Sequence, residues 1–580
     1  MKFLRNLLAS VLGFFISMVL IIIVFVIVGV YSASSEEVEV KPNSVLKIKL
    51  DTELRDYVSE EIDPFEELLG KNDEVTGMNS VLGAIEAASK DENIKGVSLE
   101  PSSIRAGVSQ IKALRDALSK FKESGKFIYA YSDVYSQANY YLCSVADSIF
   151  VNPEGGIDFK GLASESLFFK DFQDKYGIKM EVVRHGKYKS AVEPFIGNEM
   201  SAENRTQIEE LLKSLWSEII VGVSNSRNIS VDKLNEIADN LSARTPFSAR
   251  DNKLIDGVIY ADQYCKKLKN ALGSKFKTVG LSRYMASKNN VFGEFASEKV
   301  AVIYAQGQII YGKGDEKTVG NELLVKAIEK VKKDKKVKAV VLRVNSPGGS
   351  ALASDIIWRS LELLKKEKPL VVSMGDLAAS GGYYISCNAD KIIAEPTSIT
   401  GSIGVFGMLP NVEKFAKNIG ISTERVATNK GAYYSAFEPV NKDYYEVTKE
   451  GIDKIYKTFV TKVANGRDMT FEEVHELAQG RVWSGSQALE NGLIDEIGGL
   501  DLAIETAANL ARVESFRVVN YPKYNKDIRE SLKNIPFLKV KENALKEYLG
   551  DENFILFQKL NSMKNNKGIQ ARMSFVLDIK

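Results

Sequence analysis

Two halves of this 580-residue chain are copies of one another. Lys95-Gly-Val-Ser-Leu99 matches Lys338-Ala-Val-Val-Leu342, Tyr140-Tyr-Leu142 matches Tyr383-Tyr-Ile385, and Ala146-Asp-Ser-Ile149 matches Ala389-Asp-Lys-Ile392, all at an offset of 243. Gly177-Ile178 and Gly420-Ile421 keep that offset. Further on, Ser190-Ala-Val-Glu-Pro194 matches Ser435-Ala-Phe-Glu-Pro439 and Leu254-Ile-Asp256 matches Leu493-Ile-Asp495, the offset drifting by a few residues as short insertions produce. Such a chain is a tandem duplication and folds as two units on one plan.

Each copy alternates apolar β-branched runs with amphipathic stretches. In the second copy, Lys338 to Val344 reads as a buried strand and Ala351 to Lys366 as a helix with apolar residues at helical spacing. Lys368 to Met374 reads as a second strand, and Gly381 to Asn388 opens a second helix. Glu203 to Val221 and Tyr445 to Val463 read as corresponding long helices. Strands alternating with helices predict βαβ units and an α/β fold with mainly parallel sheets. The expected organisation is 1–36 for the cytoplasmic N-terminus and anchor, 37–293 for the first copy, 294–520 for the second, and 521–580 for a C-terminal extension. That extension is rich in Lys and Asn and has no counterpart in the repeat, so it reads as a capping or partly mobile segment with a solvated face.

Leu7 to Tyr31 carries no charge over 25 residues, enough for one transmembrane helix. A cleaved signal peptide, with Ser32 and Ser34 at its cleavage site, is the competing reading, but its apolar region is normally about 7–15 residues. Lys2 and Arg5 precede the apolar run and Glu36 and Glu37 follow it, which predicts that the rest of the chain faces outward. With 77 Lys+Arg against 76 Asp+Glu, the global charge footprint of a nucleic-acid-wrapping protein is absent. Cys143, Cys265 and Cys387 form no CxxC pair and are expected to be buried free thiols, with one disulfide as the alternative. The only histidines, His185 and His475, exclude a multi-histidine metal site and leave few choices for a Ser-His-Asp triad.

Two glycine-rich segments carry the chemistry. Asn345-Ser-Pro-Gly-Gly-Ser350 lies between a strand and a helix, where paired glycines admit a ligand and N–H groups face an anion, although a Pro-Gly-Gly turn is often only a turn. Gly375-Asp-Leu-Ala-Ala-Ser380-Gly-Gly-Tyr-Tyr384 leaves Ser380 sterically open, with the Gly381 N–H beside any oxyanion formed on attack. On this local pattern alone, Ser380 packing a tight helix start is an equal reading. Ala378 stands where a nucleophile elbow has its first glycine, and neither histidine has a triad context, so a desolvated lysine is the natural base.

The repeat helps to choose that lysine. Gln137 stands opposite Ser380, Arg105 and Ala106 opposite Gly348 and Gly349, and Phe159 opposite Ser402, so the first copy lacks the nucleophile and the glycine pair. Conversely, Tyr188-Lys189-Ser190-Ala191 aligns with Tyr433-Tyr434-Ser435-Ala436, so Lys189 is replaced by Tyr434 in the second copy. Each half keeps what the other lost, as expected of one site shared between halves.

On these motifs the chain resembles the signal peptide peptidase A family in its long, duplicated, membrane-anchored bacterial form: Ser-Lys proteases of the Clp protease/crotonase-like fold. The resemblance covers nearly everything after the anchor. It implies Ser380 of Ala-Ala-Ser-Gly-Gly-Tyr as nucleophile and Lys189 of Tyr-Lys-Ser-Ala-Val-Glu-Pro as general base. It also implies Gly349 and Gly381 in the oxyanion hole and Ser402 of Thr-Gly-Ser-Ile-Gly as the group orienting the lysine. Asp376 receives no role. The family further implies no cofactor, a homotetramer on the outer face of the bacterial cytoplasmic membrane, and remnant signal peptides and other extended apolar peptides as substrates. The alternatives are a catalytically inactive membrane scaffold and a crotonase-like acyl-CoA enzyme that uses the glycine pair without Ser380.

Overall fold

The computed structural model describes residues 3, 5–7, 9–18, 21, 40–59, 75–273, 275–287, 296–429, 431–432, 434–524 and 569–573. The duplication holds over six strands of each copy, and the second copy's sheet adds Ile399–Gly401 and the antiparallel Val482–Ser484. In the first copy the sheet order is Gly257–Val258, Ser148–Ile157, Phe127–Tyr135, Ile94–Leu99, Ser44–Ile48, Lys277–Gly280, with every pair parallel. The second copy repeats it as Glu496–Ile497, Lys391–Ala394, Leu370–Ala379, Val337–Ser346, Lys299–Gln306, Arg517–Tyr521, again all parallel. Covered on both faces, the central strand Val337–Ser346 is buried at almost every residue, which is why it reads as a continuous apolar run rather than an alternating one.

Helix Ala351–Lys365 follows the expected range to within a residue; Ser350 Oγ accepts from the Ala353 N–H, and Ile357, Leu361 and Leu364 pack into the core with Val340 and Leu342. The two long helices are Ala202–Arg227 and Lys442–Arg467, 26 residues each and longer than the apolar pattern indicates. They run on through polar turns until Asn228 and Asp468, both at φ 53°, end them in the left-handed conformation. Strand Leu370–Ala379 also outruns its expected end at Met374, because Leu377 to Ala379 pair with Ile399–Gly401 and carry the strand to the residue before Ser380.

A third sheet joins the copies, and nothing in the repeat foretells it. Its order is Thr318–Gly320, Gln308–Ile310, Gly348–Ser350, Gln570–Arg572, Val405–Asn411, Lys179–His185. Lys179–His185 of the first copy pairs antiparallel with Val405–Asn411 of the second, in a register running from Val405 opposite His185 to Asn411 opposite Lys179. The junction is also clasped by charge: Arg343 Nε donates to Asp56 Oδ2 at 2.9 Å, both side chains being buried, and Gln110 Nε2 donates to Asp56 Oδ1 at 2.9 Å. A buried pair of this kind locks relative placement more than it adds net stability.

Residues 9–18 are helical and exposed. Among the described residues no helix is long and apolar enough to cross a membrane, and the expected span continues into residues 19–20 and 22–31, which lie outside them. The expected boundary at 293/294 and most of 521–580 also lie outside the described residues. All three cysteines are free thiols; Cys143 and Cys387 are buried, but Cys265 is exposed, because it falls on the outer face of helix Ala261–Leu272, which buries only Tyr264 and Leu268.

Candidate active site

Ser380 lies where strand Leu370–Ala379 turns into helix Gly381–Ser386. Its backbone is held at φ 56°, ψ −112°, a conformation that side chains rarely adopt, by its N–H donating to Gly401 O at 2.8 Å and by Tyr384 N–H donating to Ser380 O at 2.8 Å. Small neighbours make the turn possible: a Cβ on Gly381 would lie 2.7 Å from Ser354 Oγ, and one on Gly382 2.7 Å from Ser346 O.

The antiparallel pairing of Lys179–His185 with the second copy delivers Lys189 to that turn. Tyr188 N–H donates to Gln479 O at 2.9 Å, and Lys189 N–H to Gly186 O at 3.3 Å. Gly480 and Gly404 leave room for the lysine; a Cβ on Gly480, at φ 85°, would stand 2.6 Å from Lys189 Cβ, and one on Gly404 3.2 Å from its Cδ. The amine then lies 3.0 Å from Ser380 Oγ, 2.9 Å from Ser402 Oγ and 3.1 Å from Ser402 O. Lys189, Ser380 and Ser402 have no solvent exposure.

Desolvation holds the Lys189 amine well below its ordinary 10.5. The contacts suit a neutral amine: two N–H groups for the two Ser402 oxygens, and one lone pair for the Ser380 hydroxyl proton. Ser402 is itself fixed at φ 50° by its N–H donating to Arg481 O at 2.6 Å.

The glycine pair stands beside the serine. Gly348, at φ 88°, would place a Cβ 2.6 Å from the Gly381 nitrogen, and Gly349 would place one 2.0 Å from Ile309 O. No larger residue fits either position, and both backbones line the cleft at the start of the Gly381 helix. Gly349, Gly381, Lys189, Ser380 and Ser402 are therefore all brought to one place.

The equivalent place in the first copy is filled. Gln137 Oε1 accepts from the Lys160 and Gly161 N–H groups at 3.0 Å each, while Phe159 is buried against Tyr140 and Trp216. Tyr434, the counterpart of Lys189, donates its hydroxyl to Pro410 O and stacks on Tyr444. Neither histidine bonds to Ser380: His185 Nδ1 lies 2.6 Å from Asp453 Oδ1, and His475 Nδ1 2.8 Å from the Tyr456 hydroxyl. Among the described residues no cluster of His, Cys, Asp and Glu could hold a metal ion.

Two features escape the sequence reading. Asp376 accepts from the Ser109 and Gln110 N–H groups at 2.8 and 3.2 Å, capping a helix of the first copy from the strand that carries Ser380. Desolvation and the neighbouring Asp56 carboxylate push its pKa up to about 6. Its signal in the sequence is a lone charge inside an apolar strand. The other is the tail strand Gln570–Arg572, which pairs with the glycine pair itself.

The model of peptidase family S49 matches this chain twice, at residues 120–275 and 362–514. Protease 4 of Haemophilus influenzae is 36% identical over 526 residues, covering 88% of this chain and 85% of that protein. The chain belongs to peptidase family S49. Another relative, the chloroplastic serine protease SPPA of Arabidopsis thaliana, is 34% identical and covers 73% of this chain and 64% of its own length. A solved ClpP1 chain from Listeria monocytogenes also matches, at 15% identity and a TM-score of 0.23, covering 35% of this chain and 94% of that one. The S49 chain is thus a serine protease of α/β fold with two S49 units and mainly parallel sheets.

Proposed function

We propose that this S49 protease uses Ser380 as nucleophile and Lys189 as general base, and degrades remnant signal peptides and other extended apolar peptides at the outer face of the bacterial cytoplasmic membrane. The observation that carries the catalytic reading is a buried amine, with no charged partner among the described residues, 3.0 Å from Ser380 Oγ. Neutral Lys189 takes the Ser380 proton as Oγ attacks a peptide carbonyl, and the Gly349 and Gly381 N–H groups hold the tetrahedral oxyanion. Lysine, now protonated, donates to the leaving amine and then activates the water that hydrolyses the acyl-enzyme. Ser402 orients the amine through both of its oxygens.

The membrane reading rests on Leu7 to Tyr31 and the charges that flank it, and a site beside the membrane suits apolar products. The assembly reading rests on the repeat. By the 243 offset, the pairing of 179–185 with 405–411 implies an equivalent pairing of 422–428 with 162–168. Residues 422–428 are exposed and pair with no strand among the described residues, with Val426 98% exposed, and Leu167 of the other segment is 60% exposed. Supplied by successive chains, these segments make a head-to-tail contact that closes a ring, and the family resemblance sets the number at four.

Detergent-solubilised full-length protein should cut a synthetic signal peptide and leave a folded globular protein intact, and Ser380→Ala should abolish the cleavage. A Ser380→Ala protein that still cuts would refute the assignment. Protease added to intact spheroplasts should reach an epitope placed after residue 296; protection until lysis would reverse the orientation.

A further inference from the structure

The proposed base and nucleophile come from different copies, and one buried amide touches what holds each of them. Gln207 lies in the second turn of helix Ala202–Arg227 of the first copy and is 1% exposed. Its Nε2 donates to Tyr188 O and to Ser190 Oγ, both at 3.1 Å, so it grips the residues on either side of Lys189. Its Oε1 accepts from the Val482 N–H of the second copy at 3.4 Å. Val482 pairs with Gly401, whose carbonyl accepts the Ser380 N–H at 2.8 Å. Arg481, the residue before Val482, accepts the Ser402 N–H on its own carbonyl at 2.6 Å.

The amide is itself fixed from the helix side. Asn204 Oδ1 lies 3.0 Å from Gln207 Nε2, and Asn204 Nδ2 donates to the buried Glu193 Oε2 at 2.9 Å. Glu193 Oε1 also accepts the Ser201 hydroxyl at 2.6 Å and lies 3.6 Å from Arg184, whose guanidinium donates to Lys189 O at 3.3 Å. One turn along the helix from Gln207, Glu210 pairs with Arg481, whose guanidinium lies 5.2 Å from the centre of the Tyr188 ring. Arg184, Lys187, Glu193, Glu210 and Arg481, the charged groups facing the loop, bond to its backbone, to the Tyr188 ring or to one another, and His185 bonds to Asp453, while the amine bonds to Ser380 and Ser402. A buried polar network whose ends are satisfied in this way specifies one arrangement of the groups it ties together.

We propose that Gln207 is a positioning residue of this protease: its amide ties the lysine loop of one copy to the strand that holds the serine turn of the other, and so sets the separation of the Lys189 amine from the Ser380 hydroxyl. The role rests on the Ser380–Lys189 reading given above. Gln207 touches no reacting atom and takes no proton. What it supplies is register. The flexible four-carbon stem of a lysine keeps its amine at 3.0 Å from a partner only where the backbone beneath it is held, and a misplacement of about 1 Å is enough to cost proton transfer a large factor. Methionine at position 207 fills a similar volume but makes no hydrogen bond to Tyr188, Ser190 or Val482. The loop then shifts against the second copy, and the amine stands off Ser380 and gains water, which favours its protonated form.

The test is the pH profile of peptide hydrolysis by purified full-length Gln207→Met, with fluorophosphonate labelling of Ser380 and thermal melting as parallel readouts. On the alkaline plateau, where the amine is neutral whatever its pKa, kcat and kcat/KM should fall together by about tenfold or more, and the acidic limb should move to higher pH. Gln137→Met is the control, since it removes a buried glutamine bonded to Lys160 and Gly161 in the first copy, away from Ser380. It should lower the melting temperature while leaving plateau and limb in place. Gln207→Glu keeps the acceptor for the Val482 N–H but offers no N–H to Tyr188 O; its added charge moves the limb without touching the plateau, so its plateau loss reads placement even where Gln207→Met does not fold. A Gln207→Met or Gln207→Glu protein that keeps the wild-type plateau, or a Gln137→Met protein that loses as much of it, overturns the positioning role and leaves the Ser-Lys reading standing. A wild type that takes no label on Ser380, or a folded Lys189→Met protein as active as the wild type, overturns both.

Discussion

Replacing Lys189 by methionine should abolish turnover and at the same time change how stability depends on pH. In the wild type the amine has no solvent exposure and no carboxylate partner among the described residues, and desolvation holds its pKa well below 10.5. The unfolded chain keeps this lysine protonated up to about 10.4, so between the two pKa values the unfolded state binds one more proton than the folded state. Stability from this residue therefore rises with pH across that window and is lost as pH falls. One proton corresponds to about 1.4 kcal/mol per pH unit. Other titrating groups cancel when the two proteins are compared, and the bonds lost at Ser402 and Ser380 shift the variant by an amount that does not depend on pH. Denaturant unfolding of both proteins at pH 8 and pH 9 should show the stability of the wild type gaining on Lys189→Met, by up to about 1.4 kcal/mol. A difference that stays constant over that range would mean that the amine keeps an ordinary pKa in the folded state, and the lysine could not be the base.

Ser402→Ala removes one of the two acceptors of the amine, a loss of roughly 1 kcal/mol that should lower kcat/KM by about fivefold to tenfold. The acidic limb of the pH profile should move to lower pH, since the ammonium loses more from a missing acceptor than the neutral amine does; an unchanged profile would refute the orienting role. Asp376→Asn keeps an acceptor for the Ser109 and Gln110 N–H groups but removes a charge whose pKa is pushed from 3.8 to about 6. A raised carboxylate pKa means stability that is present below the unfolded value and lost as pH rises through the folded one, so the melting advantage of the variant should grow from pH 4 to pH 6 and level off above; a gap that narrows over that range would refute it. Adding Tyr434→Lys to Lys189→Ala should restore no activity, because residue 434 sits against Pro410 and Tyr444 rather than beside Ser380. Peptidase assays of the double variant check this directly.

The parts of the fold that a reader of the sequence can recover are those written in side chains. Repeated apolar runs give both parallel sheets, and the exchange of Lys189 for Tyr434 and of Ser380 for Gln137 singles out two residues 191 positions apart that the structure brings to 3.0 Å. What is held by backbone bonds leaves no such trace. The sheet joining the copies is built from short strands, among them the three residues Gln570–Arg572, whose partners lie more than 160 positions away and whose pairing places no demand on residue type beyond the glycines they meet. Asp376 carries a charge where the strand pattern asks for an apolar residue, and its reason lies in a helix N-terminus of the other copy, about 270 residues earlier. Ser402 is legible as the lysine's partner only through the family resemblance, and Gly480 only as a glycine in a turn; that it makes room for the lysine stem follows from three dimensions alone.

The central claim is that one chain builds one site, with the base from the first copy and the serine from the second. Fluorophosphonate labelling with mapping of the modified residue tests it most directly. The account predicts one label per chain on Ser380 in the wild type, none in Ser380→Ala, and a labelling rate in a folded Lys189→Met protein reduced to background. Labelling of Lys189→Met at the wild-type rate, or a label on any other residue, would contradict it.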